Sequence, residues 1–508
     1  VVIKIVFLVC FFAIMITIGI LARKHATNVG DFVLGGRKVG PWLTAFAYGT
    51  SYFSAVVFVG YAGQFGWKYG ISATWIGIGN AFIGSLLAWV ILGRRTRVMT
   101  NHLKSATMPD FFGSRYDCKS LKITASAISF IFLVPYTASV YNGLSRLFEK
   151  AFNIPYWVCV LTMAVLTGIY VIVGGYMATA INDFIQGIIM LFGIVAVVGA
   201  ILSKQGGFLS AIGKLAQIES DIPITIGQQG AFTSFFGPDP LNLLGVVILT
   251  SLGTWGLPQM VHKFYTIKNE ASIKSGTIIS TVFALIIAGG CYFLGGFGRL
   301  FDNPALYKEQ GGVIYDAIVP YMLQSLSDVL IGIVIILVLS ASMSTLSSLV
   351  LTSSSTLTLD FIKGFIYKNM SDKKQLGIMR VFIVFFIGVS VILALKPPVF
   401  IAQLMSISWG ALAGAFLAPF LYGLYWKRVT KTAVWVSFIS GVGITTSNLI
   451  FKYISSPINA GAIAMIAGLV LVPIVSLLTP KMSKEQVDTV FQCYEETVTV
   501  RKKKSIQE

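Results

Sequence analysis

An apolar stretch long enough to cross a hydrocarbon core of about 30 Å recurs about thirteen times along this sequence, and no other property limits so severely what the chain can become. The stretches run over 1–22, 41–66, 71–93, 123–149, 155–175, 180–203 and 241–262, then over 276–298, 327–362, 378–395, 399–424, 432–453 and 460–479; they are numbered here as spans 1 to 13. Most far exceed the roughly 9 to 11 residues of a membrane β-strand, and none keeps a strict alternation, so helices are expected and a barrel is not. A helix satisfies its own backbone groups in lipid. With 56% hydrophobic and only 11% charged residues among 508, the composition excludes an ordinary soluble domain.

Basic residues test the count independently, because Lys and Arg gather in cytoplasmic connections. Arg23, Lys24, Arg37 and Lys38 follow span 1, and Arg94, Arg95, Arg97, Lys104, Arg115, Lys119 and Lys122 follow span 3. Further clusters are Lys263, Lys268 and Lys274; Lys363, Lys368, Lys373, Lys374 and Arg380; Lys427, Arg428 and Lys431; and the run from Arg501 to Lys504. The alternate connections are poor in basic residues, which puts the N-terminus outside and the C-terminus inside. The net charge of +18 is thereby a topology signal rather than a nucleic-acid footprint. The basic tail is read as solvated, with contact to anionic headgroups as the other use open to it.

Span 1 lacks a basic leader and a small-residue cleavage site, so it is expected to be retained; as the sequence does not open on Met, a few residues are expected to precede it. Cys10, Cys118, Cys159, Cys291 and Cys493 are odd in number and scattered, which gives no disulfide or zinc framework. His25, His102 and His262 all fall in connections read as cytoplasmic, so they are expected to be solvated.

Two spans are interrupted by small and helix-breaking residues, and they lie five spans apart. Span 2 carries Tyr48-Gly49-Thr50-Ser51-Tyr52-Phe53-Ser54, and span 7 carries Thr250-Ser251-Leu252-Gly253-Thr254-Trp255-Gly256-Leu257-Pro258. Inverted-repeat transporters form their sites at such a pair: freed carbonyls hold a cation, and exposed N–H ends hold an anionic group. Taken singly, either break also reads as close helix packing through small residues.

Span 9 is rich in hydroxyls from Ser340 to Ser348 and again from Thr352 to Thr356. Helical spacing sets Ala341, Ser344, Thr345 and Ser348 on one face, and hard cations take oxygen ligands. Back-bonding to the helix is the ordinary use of such hydroxyls and the expectation for the group from Ser353 to Thr356. In span 6, Asp183 is a lone carboxylate in Ile181-Asn182-Asp183-Phe184-Ile185-Gln186. A charge at membrane depth costs about 2.5–3.5 kcal/mol on insertion scales, so it needs a partner, and a cation would serve; a helix N-cap at the interface is the other reading.

Several segments resemble the sodium/solute symporter family: Leu34-Gly35-Gly36-Arg37, Pro109-Asp110-Phe111-Phe112, the stretch from Tyr170 to Gln186, Gly256-Leu257-Pro258, Met343-Ser344-Thr345-Leu346-Ser347, and Trp409 through Trp426. The resemblance implies an all-α membrane protein of LeuT-type fold with a 5+5 inverted repeat. The repeats would cover 41–203 and 241–424, with an extra helix at 1–22, two further helices within 432–479 and a cytoplasmic tail at 480–508. It implies sodium as the coupling ion, in one or two sites. The first would use the carbonyls of Thr50, Phe53 and Ala341 with the hydroxyls of Ser344 and Thr345; the second would use Asp183 with Ser344, Ser347 and Ser348. Replacing Asp183 by Asn is then expected to weaken or abolish sodium dependence. One sodium ion falling through about 100 mV and a tenfold gradient supplies about 2.3 and about 1.4 kcal/mol, which concentrates a neutral solute several hundredfold.

For the solute, family positions bring forward Tyr52, Ser54, Tyr136, Asn142, Trp255, Ser408 and Trp409, although each aromatic also reads as helix packing. Sodium/proline carriers look most similar, through Tyr136-Thr137-Ala138-Ser139 and Arg146-Leu147-Phe148-Glu149. Tyr52 and Val56 depart from them, standing where those carriers have an acidic residue and Trp. An amino acid such as proline therefore competes with a monocarboxylate, sugar or sialic acid as cargo. The implied protein works as a monomer in the plasma or inner membrane. A membrane enzyme would need convergent acid, base or nucleophile groups that the spans lack, and a channel would need a repeated filter motif. A sensor that binds without transporting shares the same residues and would reveal itself by failing to exchange labelled solute.

Overall fold

The computed structural model describes residues 2–23, 26–152, 154–309, 311–396 and 401–495. Lys24, His25 and the run from Arg501 to Lys504 lie outside them. Ten helices among the described residues are long and apolar enough to cross a membrane, and Pro240–Gly256 with Pro258–Thr266, bent by 46°, makes an eleventh crossing.

Two of these helices are too long for one passage. Val56–His102 has 47 residues and Tyr156–Lys204 has 49, or about 70 Å each at 1.5 Å per residue, more than twice the hydrocarbon thickness. Both turn at a glycine that holds a positive φ. Gly70 (φ +61) ends the first helical run of one, and Gly175 (φ +58) breaks the other. At Gly175 a side chain would also begin 2.8 Å from the Phe32 ring, so steric room and backbone conformation both call for glycine. Dividing each helix there recovers the thirteen spans, with the boundary between spans 5 and 6 at the Gly174-Gly175 pair.

The helices surround a polar and aromatic centre and present an apolar exterior. Leu21, Phe192, Val195, Ile392 and Ile450 are exposed, as expected for side chains solvated by lipid. Inside, glycine lets spans 2 and 8 touch backbone to backbone: a Cβ on Gly66 would stand 2.0 Å from the Gly295 carbonyl. Span 9, Asp328–Thr356 continuing as Leu357–Ile366, is buried at every residue from Leu337 through Thr356.

On the basic face, Arg37 clamps three segments by donating to the carbonyls of Thr100, Ser105 and Tyr265. Burial, then the neighbouring Arg97 charge, push its pKa down to about 10, so it stays charged at neutral pH. The short helix Lys484–Phe491 packs on this face, where the buried Arg115 guanidinium lies 4.8 Å from the Phe491 ring centroid.

His262 and Lys263 correct the reading of the connection after span 7. The helix continues to Thr266, and both residues are buried within it, at 7% and 2% exposure. His102 remains exposed and meets the Thr489 carbonyl.

Candidate functional site

Both predicted breaks are present. Span 2 stops as a helix after Pro41–Thr50, passes through Ser51 to Ser54, and resumes at residue 55. Span 7 loosens over Ile248–Leu252, tightens over Gly253–Gly256, and becomes extended at Leu257 (φ −86°, ψ 120°) before Pro258 restarts it. Pro258 suits this place because the first turn of a helix does not need its N–H.

The break in span 2 meets the hydroxyl face of span 9. The Ser344 hydroxyl donates toward the Thr50 carbonyl at 2.9 Å and the Ala341 carbonyl at 3.0 Å. The Thr345 hydroxyl lies 3.3 Å from Thr50 O, 3.2 Å from Phe53 O and 3.0 Å from Ala341 O. All five oxygens of the first predicted set are thus brought together, in a fully buried position. A hard cation takes oxygens at about 2.3–2.6 Å, which separates neighbouring ligands by about 3.3–3.7 Å in an octahedral arrangement. The cluster needs to widen by only a few tenths of an ångström, with both hydroxyl protons turned away, to accept such an ion.

The second predicted set is assembled only in part. Ser347 donates to the Ser344 carbonyl. The Ser348 hydroxyl instead meets the Ser51 hydroxyl at 2.7 Å and the Lys263 ammonium at 3.0 Å. Asp183 is wholly buried, and neither carboxylate oxygen has a hydrogen-bond partner. It lies inside the helical run that starts after Gly175 and continues to Lys204, and not at its first residue, so the reading of Asp183 as an N-cap does not hold. In the later hydroxyl group, Ser354 and Ser355 bond back to their own helix, as expected, whereas the hydroxyls of Ser353 and Thr356 are buried without a hydrogen-bond partner and depart from that expectation.

Among the solute candidates, the Tyr52 and Trp409 rings lie 5.4 Å apart, tilted by 34°, and Tyr136 meets Trp409 edge-on at 5.8 Å. The Tyr136 hydroxyl, Trp409 Nε1 and Asn142 Oδ1 are buried without a hydrogen-bond partner. A buried polar atom left unpaired is costly, so these three are available to a ligand. Tyr52 donates to Thr250 O at 2.7 Å, linking the two breaks directly. Ser54 accepts from the Val56 amide, within the span 2 break. Ser408 is turned toward the Phe132 carbonyl, and Trp255 spends its indole N–H on Ile83 O at 2.9 Å, which leaves Trp255 only its ring face.

Other participants escaped the sequence reading. Ser342 accepts from the Ala55 amide at the restart of span 2. Asn80 accepts from Ser251, and the Tyr292 hydroxyl is buried without a partner. Lys263 was hidden as well: the sequence places it at the fading end of an apolar stretch, and only the continued helix Pro258–Thr266 shows it to be a charge inside a membrane span.

A bundle whose two broken helices meet at its centre, with carbonyls and hydroxyls in place of charged ligands, is the architecture of a secondary transporter. The Sodium:solute symporter family model matches residues 32–441. The chain belongs to the sodium:solute symporter family, and its activity is sodium-coupled solute import. It is 30% identical over 442 residues to the sodium/proline symporter of Escherichia coli (strain K12), covering 84% of each chain. It is 28% identical over 490 residues to the osmoregulated proline transporter OpuE of Bacillus subtilis (strain 168), covering 93% of this chain and 94% of the relative. Among solved structures, a substrate-bound, outward-open Na+-coupled sialic acid symporter superposes with a TM-score of 0.77 at 17% identity, over 95% of this chain and 99% of the other. Mhp1, a nucleobase-cation-symport-1 family transporter, superposes with a TM-score of 0.52 at 12% identity, over 90% and 97%. The fold is the LeuT type.

Proposed function

We propose that the cargo is proline or a small neutral amino acid close to it, carried with sodium bound between Thr50, Phe53, Ala341, Ser344 and Thr345. The observation that carries the reading is the contact of the Ser344 and Thr345 hydroxyls with the carbonyls of Thr50 and Phe53, at the break in span 2, and of Ala341 at 2.9–3.3 Å. A zwitterion suits the adjoining compartment: Tyr52, Ser54, Tyr136, Asn142, Trp255, Ser408 and Trp409 supply ring faces and polar atoms but no formal charge. The solute carboxylate then relies on the sodium ion and on free N–H ends at the breaks. Relatives named for proline transport support the choice, with Tyr52 adding a ring face that suits an apolar pyrrolidine.

Asp183 with Ser344, Ser347 and Ser348 forms a second cation position. The repeats extend over 41–203 and 241–424, each with one broken helix, flanked by 1–22, 432–479 and the tail 480–508. The basic face is cytoplasmic and the N-terminus outside, in the plasma or inner membrane, with one chain as the working unit. Uptake of labelled proline into proteoliposomes under a sodium gradient, with unlabelled amino acids, monocarboxylates and sugars as competitors, tests this reading. Proline uptake that collapses without sodium is expected; sodium-driven uptake blocked by a sugar acid and not by proline would overturn the cargo assignment.

A further inference from the structure

Lys263 is hydrogen-bonded through its ammonium to Ser348, one of the four residues of the second predicted cation set. Its side chain comes from the restarted half of span 7, Pro258–Thr266, and is 2% exposed. The ammonium donates to the Ser348 hydroxyl at 3.0 Å and lies 5.1 Å from the centre of the Tyr176 ring. Asp183, wholly buried with neither oxygen hydrogen-bonded, is the carboxylate whose field acts on this ammonium, and the ammonium is the charge that acts on Asp183. No direct ion pair joins them, so Asp183 is balanced through space, as it would be by a cation held on the serines.

The oxygens are also partly spent. A hydroxyl offers one proton and two lone pairs. Ser51 donates its own proton to the Ala47 carbonyl, so in its contact with Ser348 it is the acceptor. Ser348 therefore donates to Ser51 and gives one lone pair to Lys263. A sodium ion arriving here would find one lone pair left on Ser348 and a positive charge already beside it. Two cations sharing the buried Ser348 hydroxyl would repel strongly, because water cannot screen them there.

We propose that the Lys263 ammonium is a tethered cation that takes the charge role of a second sodium between Asp183 and Ser348, so that this chain couples one sodium ion to each solute. The inference rests on the reading of the two cation positions given above. It differs from a bare ion-pair account in predicting a gain: removing the lysine charge opens a sodium site that the wild-type chain lacks.

Binding of radioactive sodium to the purified full chain, with sodium as the only probe and no solute, tests the idea. One ion per chain is expected for wild type and for Lys263→Arg, two for Lys263→Met, and one again for Lys263→Met combined with Asp183→Asn. Lys263→Gln is run beside the Met variant, and size-exclusion profiles identify the chains that fold. Two ions in wild type would overturn the proposal even if neither neutral variant folds, and so would a folded neutral variant that still binds one. Sodium should also raise the unfolding temperature of Lys263→Met more than that of wild type, by neutralising Asp183, and equal shifts would count against the tethered cation. Ser344→Ala with Thr345→Ala separates the two claims: if the wild-type ion survives it, the first sodium position is wrong, whereas the comparison at Lys263 still stands.

Discussion

Thr345 is the residue at which sodium coupling can be tested most sharply. Its hydroxyl reaches three carbonyls at once, Thr50, Phe53 and Ala341, at 3.0–3.3 Å. Ala at this position removes one of five oxygen ligands and little else, because the site is already buried and the backbone helical. A hydrogen bond or comparable contact to a charged group contributes about 1.5–3 kcal/mol, and each 1.4 kcal/mol is tenfold. The half-saturating sodium concentration for proline uptake should therefore rise by about 10- to 100-fold in Thr345→Ala. Thr345→Ser keeps the oxygen and should stay within about threefold of wild type. Uptake velocity against sodium concentration in proteoliposomes, at fixed membrane potential, reads both values. An Ala variant with an unchanged sodium curve would refute the assignment of this hydroxyl to the ion, whereas equal losses in Ser and Ala would point to the methyl group and to packing.

Three other perturbations have outcomes set by the coordinates. Gly66→Ala puts a methyl group 2.0 Å from the Gly295 carbonyl, and such overpacking costs about 1–3 kcal/mol or more; thermal unfolding in detergent should show a lowered midpoint, and an unchanged midpoint would mean that spans 2 and 8 do not touch there. Gly175→Ala forces a side chain into φ +58° against Phe32, at about 1–3 kcal/mol, so expression and midpoint should both fall. Trp409→Phe removes a buried N–H that lacks a partner while keeping most of the ring. It should weaken proline uptake if the indole N–H serves the solute, beyond the modest stability cost of the smaller ring in a buried position; a loss of stability with normal affinity would assign Trp409 to packing.

Much of the membrane architecture was legible because bilayer thickness and backbone hydrogen bonding leave few choices. Length and hydropathy marked the thirteen crossings, including the two hidden within single helical runs. The gap between spans 5 and 6 was placed after Gly175, where the structure shows the positive φ that turns the chain, and Gly253 with Pro258 marked the break in span 7. The hydroxyl face of span 9 was legible through helical spacing, which sets Ser344 and Thr345 beside Ala341; that the carbonyls of Thr50 and Phe53 complete the set was implied by the resemblance to the sodium/solute symporter family.

What the sequence could not decide was which polar groups would meet across the bundle. Lys263 looks like any basic residue at the end of an apolar stretch, because hydropathy fades after His262 whether the helix ends there or continues. Its contact with Ser348 lies 85 residues away, and the balance it provides for Asp183 depends on three spans packing against one another. Burial turns a topology marker into a functional charge, and burial belongs to the tertiary structure. By itself the sequence determined a helical membrane transporter with two broken helices and one cluster of oxygens; the packing of spans 6, 7 and 9 decided which cation stands beside Asp183.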